Sequence, residues 1–153
     1  MGVVQTVVDD LTDQRFRVAL YLGLASVPFT IALALLLRST GVGPAGAGIA
    51  GFPFVLSCVV AGYRYGLEAI SGRRAGIVAG IAGSLGAILL YLANAVTAAR
   101  GGPATLWAAL AVTVPIAAAV SVAGGALVGL LAGLLGDSAA TLRTRLLADE
   151  AGE

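Results

Sequence analysis

The chain alternates between long apolar runs and short polar segments that hold nearly all of its charges. Four apolar runs follow one another along the sequence. About 20 apolar residues at a rise of 1.5 Å per residue cover about 30 Å, which is the thickness of the hydrocarbon core of a bilayer. The pattern therefore predicts four membrane-spanning helices, at about residues 18–37, 45–62, 75–99 and 111–135.

The second of these runs is the least regular. Its first half is rich in glycine and alanine, and Pro53 interrupts it. Proline removes a backbone hydrogen bond and is unfavourable inside a helix. A full crossing by residues 45–62 is the interpretation we favour, and a re-entrant segment that returns to the same side is the alternative.

The fourth run, residues 104–136, is too long for a single crossing. As a straight helix it would measure about 50 Å. We therefore assign residues 104–110 to an interfacial segment in which Trp107 lies at the level of the headgroups. The crossing itself is predicted at 111–135.

The predicted fold is an all-α integral membrane four-helix bundle formed by a single domain, residues 1–153. The polar segments 1–17 and 137–153 are its tails, and short amphipathic surface helices are expected at one or both ends. In the first tail, valines and Leu11 recur at helical spacing with aspartates on the other face. The acidic face favours packing under the bundle over adhesion to anionic lipid.

The two halves of the chain share one order of features. In each half an arginine pair precedes a span, a Gly-Pro turn follows, and the next span contains a proline. This order fits a duplicated two-helix unit. It also fits any four-span protein with short loops, and both interpretations stay open.

The arginines predict how the spans are oriented. If all four runs cross, both termini and the loop 63–74 share one side, together with seven of the nine basic residues. An excess of arginine marks the cytoplasmic side, so both termini are predicted to be cytoplasmic. Arg64, Arg73 and Arg74 of this loop are candidates to hold a partner or anionic headgroups. A solvated loop with one internal ion pair to Glu68 is the interpretation we favour.

Composition agrees with a membrane location. Apolar residues make up 59% of the chain and charged residues 11%, whereas soluble domains have about 25% charged residues. The mean hydropathy is +0.99. The net charge is +1 and no long basic segment occurs, so nucleic acid is not an expected partner. The predicted location is the cell membrane, with the lipid bilayer as the surroundings of the chain.

Small residues recur at four-residue spacing in the third and fourth spans, and we call these two series the glycine ridges. Helices associate in a bilayer by close van der Waals approach, which small residues permit. The two ridges are therefore predicted to face each other or a second subunit. Ordinary tight packing is favoured over a role in lining a pore. The candidate packing residues are Gly76, Gly80, Gly83, Ser84, Ser121, Gly125, Gly129 and Gly133.

Candidate chemistry is sparse. No predicted span has an acidic, basic or histidine residue in its core, which disfavours proton relays, ion-coupled transporters and voltage sensors. Histidine is absent and Cys58 is the only cysteine, so no catalytic residue, cofactor or metal site is expected, and an enzyme is disfavoured. Asn94 is the one candidate polar site in the membrane. Its amide is expected to bond across helices, at the far end of the third-span ridge.

A resemblance is carried by residues 51–90. They contain Gly-Phe-Pro-Phe-Val-Leu, then Val-Ala-Gly-Tyr-Arg, then Ser-Gly-Arg-Arg-Ala-Gly-Ile-Val-Ala-Gly-Ile-Ala-Gly. A proline-containing span that ends in an Ala-Gly-Tyr turn, a basic loop and a glycine-rich span in this order resemble small four-span membrane proteins of halophilic archaea. Those proteins form an uncharacterised family of unknown function. The resemblance implies an architecture and an origin, with no activity to carry over.

Three functions are compatible with these observations. The favoured one is a scaffolding or accessory subunit that associates with itself, or with a larger membrane protein, through its glycine-rich helix faces. The alternatives are a homo-oligomeric channel or holin-like pore, and a subunit of a small-solute transporter. Leakage of ions or small solutes from proteoliposomes would separate the pore from the accessory role.

Overall fold

The structure is a computed structural model that describes residues 2–41, 50–68, 70–100 and 102–150. Every regular element in these ranges is helical, which confirms the all-α prediction for them. The elements in chain order are α1 (Gly2–Thr12), a short 3-10 helix (Gln14–Phe16), α2 (Arg17–Ser39), α3 (Phe52–Leu67), α4 (Gly72–Gly83), α5 (Leu85–Ala99) and α6 (Ala104–Glu150).

Three helical stretches are long and apolar enough to cross a membrane: Gln14–Ser39, Gly72–Ala99 and Ala104–Asp149. The first contains the predicted span 18–37, and Arg17 and Arg38 lie at the two ends of its long helix α2. Pro28 lies inside α2 without ending it. Hydropathy and flanking charge therefore gave the bounds of this helix to within two residues.

The second predicted span differs from helix α3. Residues 45–49 lie outside the described residues, and α3 has 16 residues, which corresponds to about 24 Å. Pro53 does not interrupt the helix. It lies in its first turn, where the missing N–H would have had no intrahelical partner. The helix also continues past residue 62 to Leu67, so the loop predicted at 63–74 is much shorter than expected.

The third predicted span is divided between α4 and α5, which are separated by a turn at Ser84. Helix α4 begins three residues earlier than the predicted span. Its N-cap is Ser71, whose hydroxyl accepts a hydrogen bond from the backbone N–H of Arg74 at 3.4 Å. This cap satisfies one of the free donors at the start of the helix.

The fourth predicted span is part of one continuous helix, to which the segments predicted on either side of it also belong. Helix α6 has 47 residues, about 70 Å, and joins the proposed interfacial segment, the span and most of the tail. The residues after Gly136 are mainly good helix formers, with no proline or further glycine before residue 152. Loss of hydropathy at Asp137 marks the end of the apolar run, and the helix continues beyond it.

Helices α3 and α4 lie side by side at the centre, and α2 and α6 pack on opposite sides of this pair. The buried side chains are small, and large apolar side chains lie on the surface. The core is formed by Phe16, Ala19, Cys58, Ala61, Tyr65, Ala75, Val78, Ala79 and Ala132. Exposed side chains include Phe29, Leu36, Phe52, Ile116, Val120, Leu131 and Leu135. Soluble domains bury residues of this second group, so the distribution is typical of a bundle surrounded by lipid.

Candidate functional site

The glycine ridges of the third and fourth predicted spans face each other within the chain. A Cβ atom built on Gly76 would lie 2.6 Å from the Cα of Gly133 and would also overlap the carbonyl oxygen of Gly129. A Cβ on Gly80 would lie 2.9 Å from the Cα of Gly129. These positions leave no room for any side chain, so α4 and α6 are in direct backbone contact.

The ridge of α6 continues beyond the predicted residues and also contacts α3. A Cβ on Gly136 would lie 2.9 Å from the carbonyl carbon of Gly62. One on Gly62 would lie 2.7 Å from the Cα of Gly133. The glycine spacing of α6 was visible in the sequence, but the sequence did not show that α3 and α4 share this ridge.

Gly83 and Ser84 occupy different surroundings. Gly83 faces the ring of Phe54 and the hydroxyl of Ser26, so it packs toward α3 and α2. Ser84 faces α6, because a Cβ on Gly125 would lie 2.9 Å from the Ser84 Cβ. The hydroxyl of Ser84 donates to the carbonyl oxygen of Ile81 at 2.7 Å. The Ser84 hydroxyl is thus satisfied within its own helix.

A cavity of about 200 Å³ lies where the chain turns between α4 and α5. Four predicted packing residues line it: Gly83, Ser84, Ser121 and Gly125. The full lining is Thr30, Gly51, Phe54, Gly83, Ser84, Ala87, Ser121 and Gly125. Residues of α2, the turn and α6 therefore line one space.

Asn94 lies on the exposed surface of α5 and outside the ridge contacts. Its side-chain oxygen accepts a hydrogen bond from Nη1 of Arg38 at 3.0 Å. The expected bond across helices is therefore present, and it joins the last turn of α2 to α5. Asn94 was expected to continue the glycine ridge, but it is exposed and its hydrogen-bond partner is Arg38 of α2.

The three arginines of the predicted basic loop are not clustered around one ligand site. Arg64 forms an exposed ion pair with Glu68 at 3.5 Å, one helical turn away. Arg73 is exposed. Arg74 binds Asp10 of α1 with two hydrogen bonds, of which Nε to Oδ2 measures 2.7 Å. The predicted ion pair to Glu68 is present, but the solvated loop was wrong: Arg64 lies within α3, and Arg73 and Arg74 lie in the first turn of α4.

The sequence analysis missed the contact that holds α1, which we call the α1 anchor. Asp10 belongs to the acidic face of the first tail, for which no partner was predicted, yet it is only 7% exposed and pairs with Arg74. The guanidinium carbon of Arg74 also lies 5.8 Å from the ring centroid of Phe16. Phe16 stacks on Tyr65 at 5.5 Å, and the Tyr65 hydroxyl donates to the carbonyl oxygen of Arg15 at 2.6 Å. The spacing of apolar and polar residues along the sequence contains no information about such long-range pairs.

Among the residues that the structure describes, no group of three or more His, Cys, Asp or Glu side chains could hold a metal ion. Comparisons with protein-family models, with curated proteins and with solved structures give no match to this chain. The resemblance to membrane proteins of halophilic archaea therefore stays a prediction. The functional argument depends on the geometry of the chain itself.

Proposed function

We propose that this chain is a four-span membrane protein with both termini in the cytoplasm. Contacts support a division of the charges between the two ends of the bundle. The α1 anchor, the Arg64–Glu68 pair and the hydrogen bond from Arg143 to Tyr63 at 3.1 Å lie at one end. Arg38 and its partner Asn94 lie at the other. The end with more arginine is the expected cytoplasmic side.

Labelling of single cysteines tests this topology. In a Cys58→Ala background, we expect a membrane-impermeant maleimide to label Ser39→Cys in intact cells, and Ser138→Cys only after lysis. Both serines are exposed, whereas Cys58 is fully buried and close to alanine in size. Labelling of both positions in intact cells, or of Ser138→Cys alone, would contradict two cytoplasmic termini.

We further propose that the protein is an accessory or scaffolding subunit that associates through the outer half of α6. The glycine-rich faces first expected to make this association are already in contact within the chain, so their surfaces are not free for a partner. No residue of α6 from position 104 to position 124 is buried against the described residues. The observation that carries the proposal is this apolar half-helix, which contributes almost nothing to the packed core of its own chain.

The associating surface begins in this half and continues along the face of α6 opposite the glycine ridge, and we call it the α6 stripe. It contains Val112, Ile116, Val120, Leu127, Leu131 and Leu135, all of them well exposed. Gly124 lies in the same stripe, and a Cβ built on it would meet no atom within 4 Å. Another helix could approach closely at that position, because small residues permit close contact in a bilayer.

Mass measurement and cross-linking test the association. In mild detergent we expect a particle that contains two or more copies of the 15.1 kDa chain, or one copy with a larger membrane protein. For self-association, Val120→Cys in the Cys58→Ala background should form disulfide-linked dimers under mild oxidation. Phe29→Cys on α2 is the matched control, since Val120 and Phe29 are each 66% exposed.

Two results would contradict this proposal: a single-chain particle in both detergent and lipid nanodiscs, or equal cross-linking at the two cysteine positions. A pore lined by the glycine ridges receives less support, because those ridges are in backbone contact and enclose no channel between α4 and α6. If proteoliposomes nevertheless leak ions or small solutes, the pore-forming alternative would replace the accessory role.

A further inference from the structure

The end of the bundle that contains Arg38 has positive charges and no negative ones. Arg38 lies in the last turn of α2, and Arg100 is the C-cap of α5. The sequence has no aspartate or glutamate between Asp13 and Glu68, or between Glu68 and Asp137. Those two stretches contain both connections at this end. An anion that neutralises these arginines therefore has to come from outside the chain.

Asn94 holds the Arg38 side chain in place and leaves most of its donors available. Nη1 of Arg38 donates to the Asn94 side-chain oxygen at 3.0 Å. A guanidinium has five N–H donors, and Arg38 forms no ion pair with the described residues. The amide nitrogen of Asn94 is a further donor, because this contact uses only the oxygen. Together the two side chains present several N–H groups to an oxyanion such as a phosphate, which arginine binds through paired hydrogen bonds.

Asn94 also lines an apolar groove between α5 and α6, which measures about 300 Å³. Alanines of α5 and leucines of α6 supply most of its lining: Ala95, Ala98, Ala99, Leu106 and Leu110. The groove opens to the surface of the bundle, since Leu106 is 40% exposed. A cavity of about 150 Å³ accommodates benzene, so this larger groove has room for a segment of one acyl chain beside the N–H donors of Arg38 and Asn94.

We propose that Arg38, Asn94 and this groove bind one phospholipid of net negative charge, such as phosphatidylglycerol. The phosphate accepts hydrogen bonds from the guanidinium and the amide nitrogen, and one acyl chain lies between α5 and α6. A zwitterionic lipid also has a phosphate, but its ammonium group would meet two arginines and no carboxylate. The site therefore selects anionic headgroups. It requires only that the bundle lies in a bilayer, and no groove residue belongs to the α6 stripe, so it is independent of the association proposed above.

Quenching of the single tryptophan, Trp107, by brominated lipids tests this proposal. Trp107 is 50% exposed and follows Leu106 in α6, so its fluorescence reports on lipid at the groove. In phosphatidylcholine bilayers that contain the full chain, phosphatidylglycerol with brominated acyl chains should quench at a lower mole fraction than brominated phosphatidylcholine. The expected preference is about three- to tenfold, the range for one arginine that meets an anionic lipid. Equal quenching by the two lipids would overturn the proposal.

Arg38→Gln and Asn94→Asp should each lose most of this preference. The first removes the cation, and the second places a carboxylate beside it. Both positions are exposed, so neither change disturbs the core. Arg100→Gln is the matched control, because it removes the same charge at the same end and leaves the Arg38–Asn94 contact intact. It should retain most of the preference. Equal losses in Arg38→Gln and Arg100→Gln would indicate diffuse electrostatic attraction and would overturn a specific site.

Two further measurements identify the occupant. Ala98→Leu should narrow the groove and weaken quenching by brominated phosphatidylglycerol, whereas Ala93→Leu, at an exposed position of α5 outside the groove, should not. Unchanged quenching in Ala98→Leu would place the lipid elsewhere and contradict the proposal. Sodium phosphate in place of sodium chloride at equal ionic strength should leave the preference unchanged. If it abolishes the preference, the site binds a free anion, and the proposal is wrong.

Discussion

Replacing Gly129 with alanine is expected to destabilise the bundle by about 1–3 kcal/mol, the range for overpacking a tightly packed site. A Cβ at this position would lie 2.9 Å from the carbonyl carbon of Gly76 and 3.1 Å from the Cα of Gly80. Both contacts are with backbone atoms, which cannot rotate away as a side chain could. The new methyl group must therefore push α4 and α6 apart along the whole contact.

The same substitution at Gly124 is the matched control, five residues earlier in the same helix. A Cβ there meets nothing within 4 Å, and alanine is the better helix former by about 1 kcal/mol. Gly124→Ala should therefore leave the stability unchanged or raise it slightly. The measurement is the folded fraction during titration with a denaturing detergent. Equal losses for the two variants would show that the ridge contact does not hold the helices together.

Gly76→Ala provides a second check, because it introduces a methyl group into the same contact from α4. Once the helices have separated to admit one methyl group, the second should cost less. The loss in the double variant is therefore expected to be smaller than the sum of the two single losses. Simple additivity would indicate that Gly76 and Gly129 act at separate places.

The sequence predicted those parts of the fold that depend on local composition. Helix α2 agrees with its prediction because twenty apolar residues between Arg17 and Arg38 define both a crossing and its ends. The ridge residues Gly76 and Gly129 were identified for a similar reason. Four-residue spacing of glycine has a direct geometric meaning on a helix, whichever neighbour it meets.

Helix bounds were harder to predict where hydropathy and helicity diverge. The apolar run ends at Gly136, and the fourth span is predicted to end at residue 135. Helix α6 nevertheless continues to Glu150. Gly136 is a packing glycine against α3 and does not terminate the helix. Hydropathy reports which residues suit a bilayer, whereas helix termination needs a cap or a breaking residue. The same distinction explains why α3 continues to Leu67.

Contacts between residues that are far apart in the sequence could not be predicted from the pattern of apolar and polar positions. Asp10 and Arg74 are 64 residues apart. The α1 anchor thus lies where a local rule is broken, at a buried carboxylate on the polar face of an amphipathic helix.

The α1 anchor gives the second large prediction, because its two charges are buried to different degrees. The side chain of Asp10 is 10% exposed and that of Arg74 is 44% exposed. Removing Arg74 leaves a buried carboxylate without a partner, whereas removing Asp10 leaves a guanidinium that can still reach water. Arg74→Ala should therefore destabilise the docked state of α1 more than Asp10→Ala does.

For Arg74→Ala we expect a loss of about 2–3 kcal/mol in the free energy of undocking α1. This is below the 3–5 kcal/mol of a fully buried pair, because water screens the half-exposed guanidinium. Amide hydrogen exchange across Gly2–Thr12 measures the loss directly. The Asp10→Ala/Arg74→Ala double variant leaves no buried charge unpaired, so it should recover part of the protection lost in Arg74→Ala.

Arg64→Ala is the control for the anchor experiment, since Arg64 belongs to an exposed pair with Glu68. Exposed pairs one helical turn apart contribute about 0.3–0.5 kcal/mol, and this one does not contact α1. Exchange in α1 should therefore be unchanged in Arg64→Ala. Two outcomes would show that the buried pair does not hold α1 against the bundle. One is the same small effect for Arg74→Ala and Arg64→Ala, and the other is faster exchange in the double variant than in Arg74→Ala. Under the proposed topology, the anchor is the contact that determines whether the N-terminal helix stays packed beneath α4.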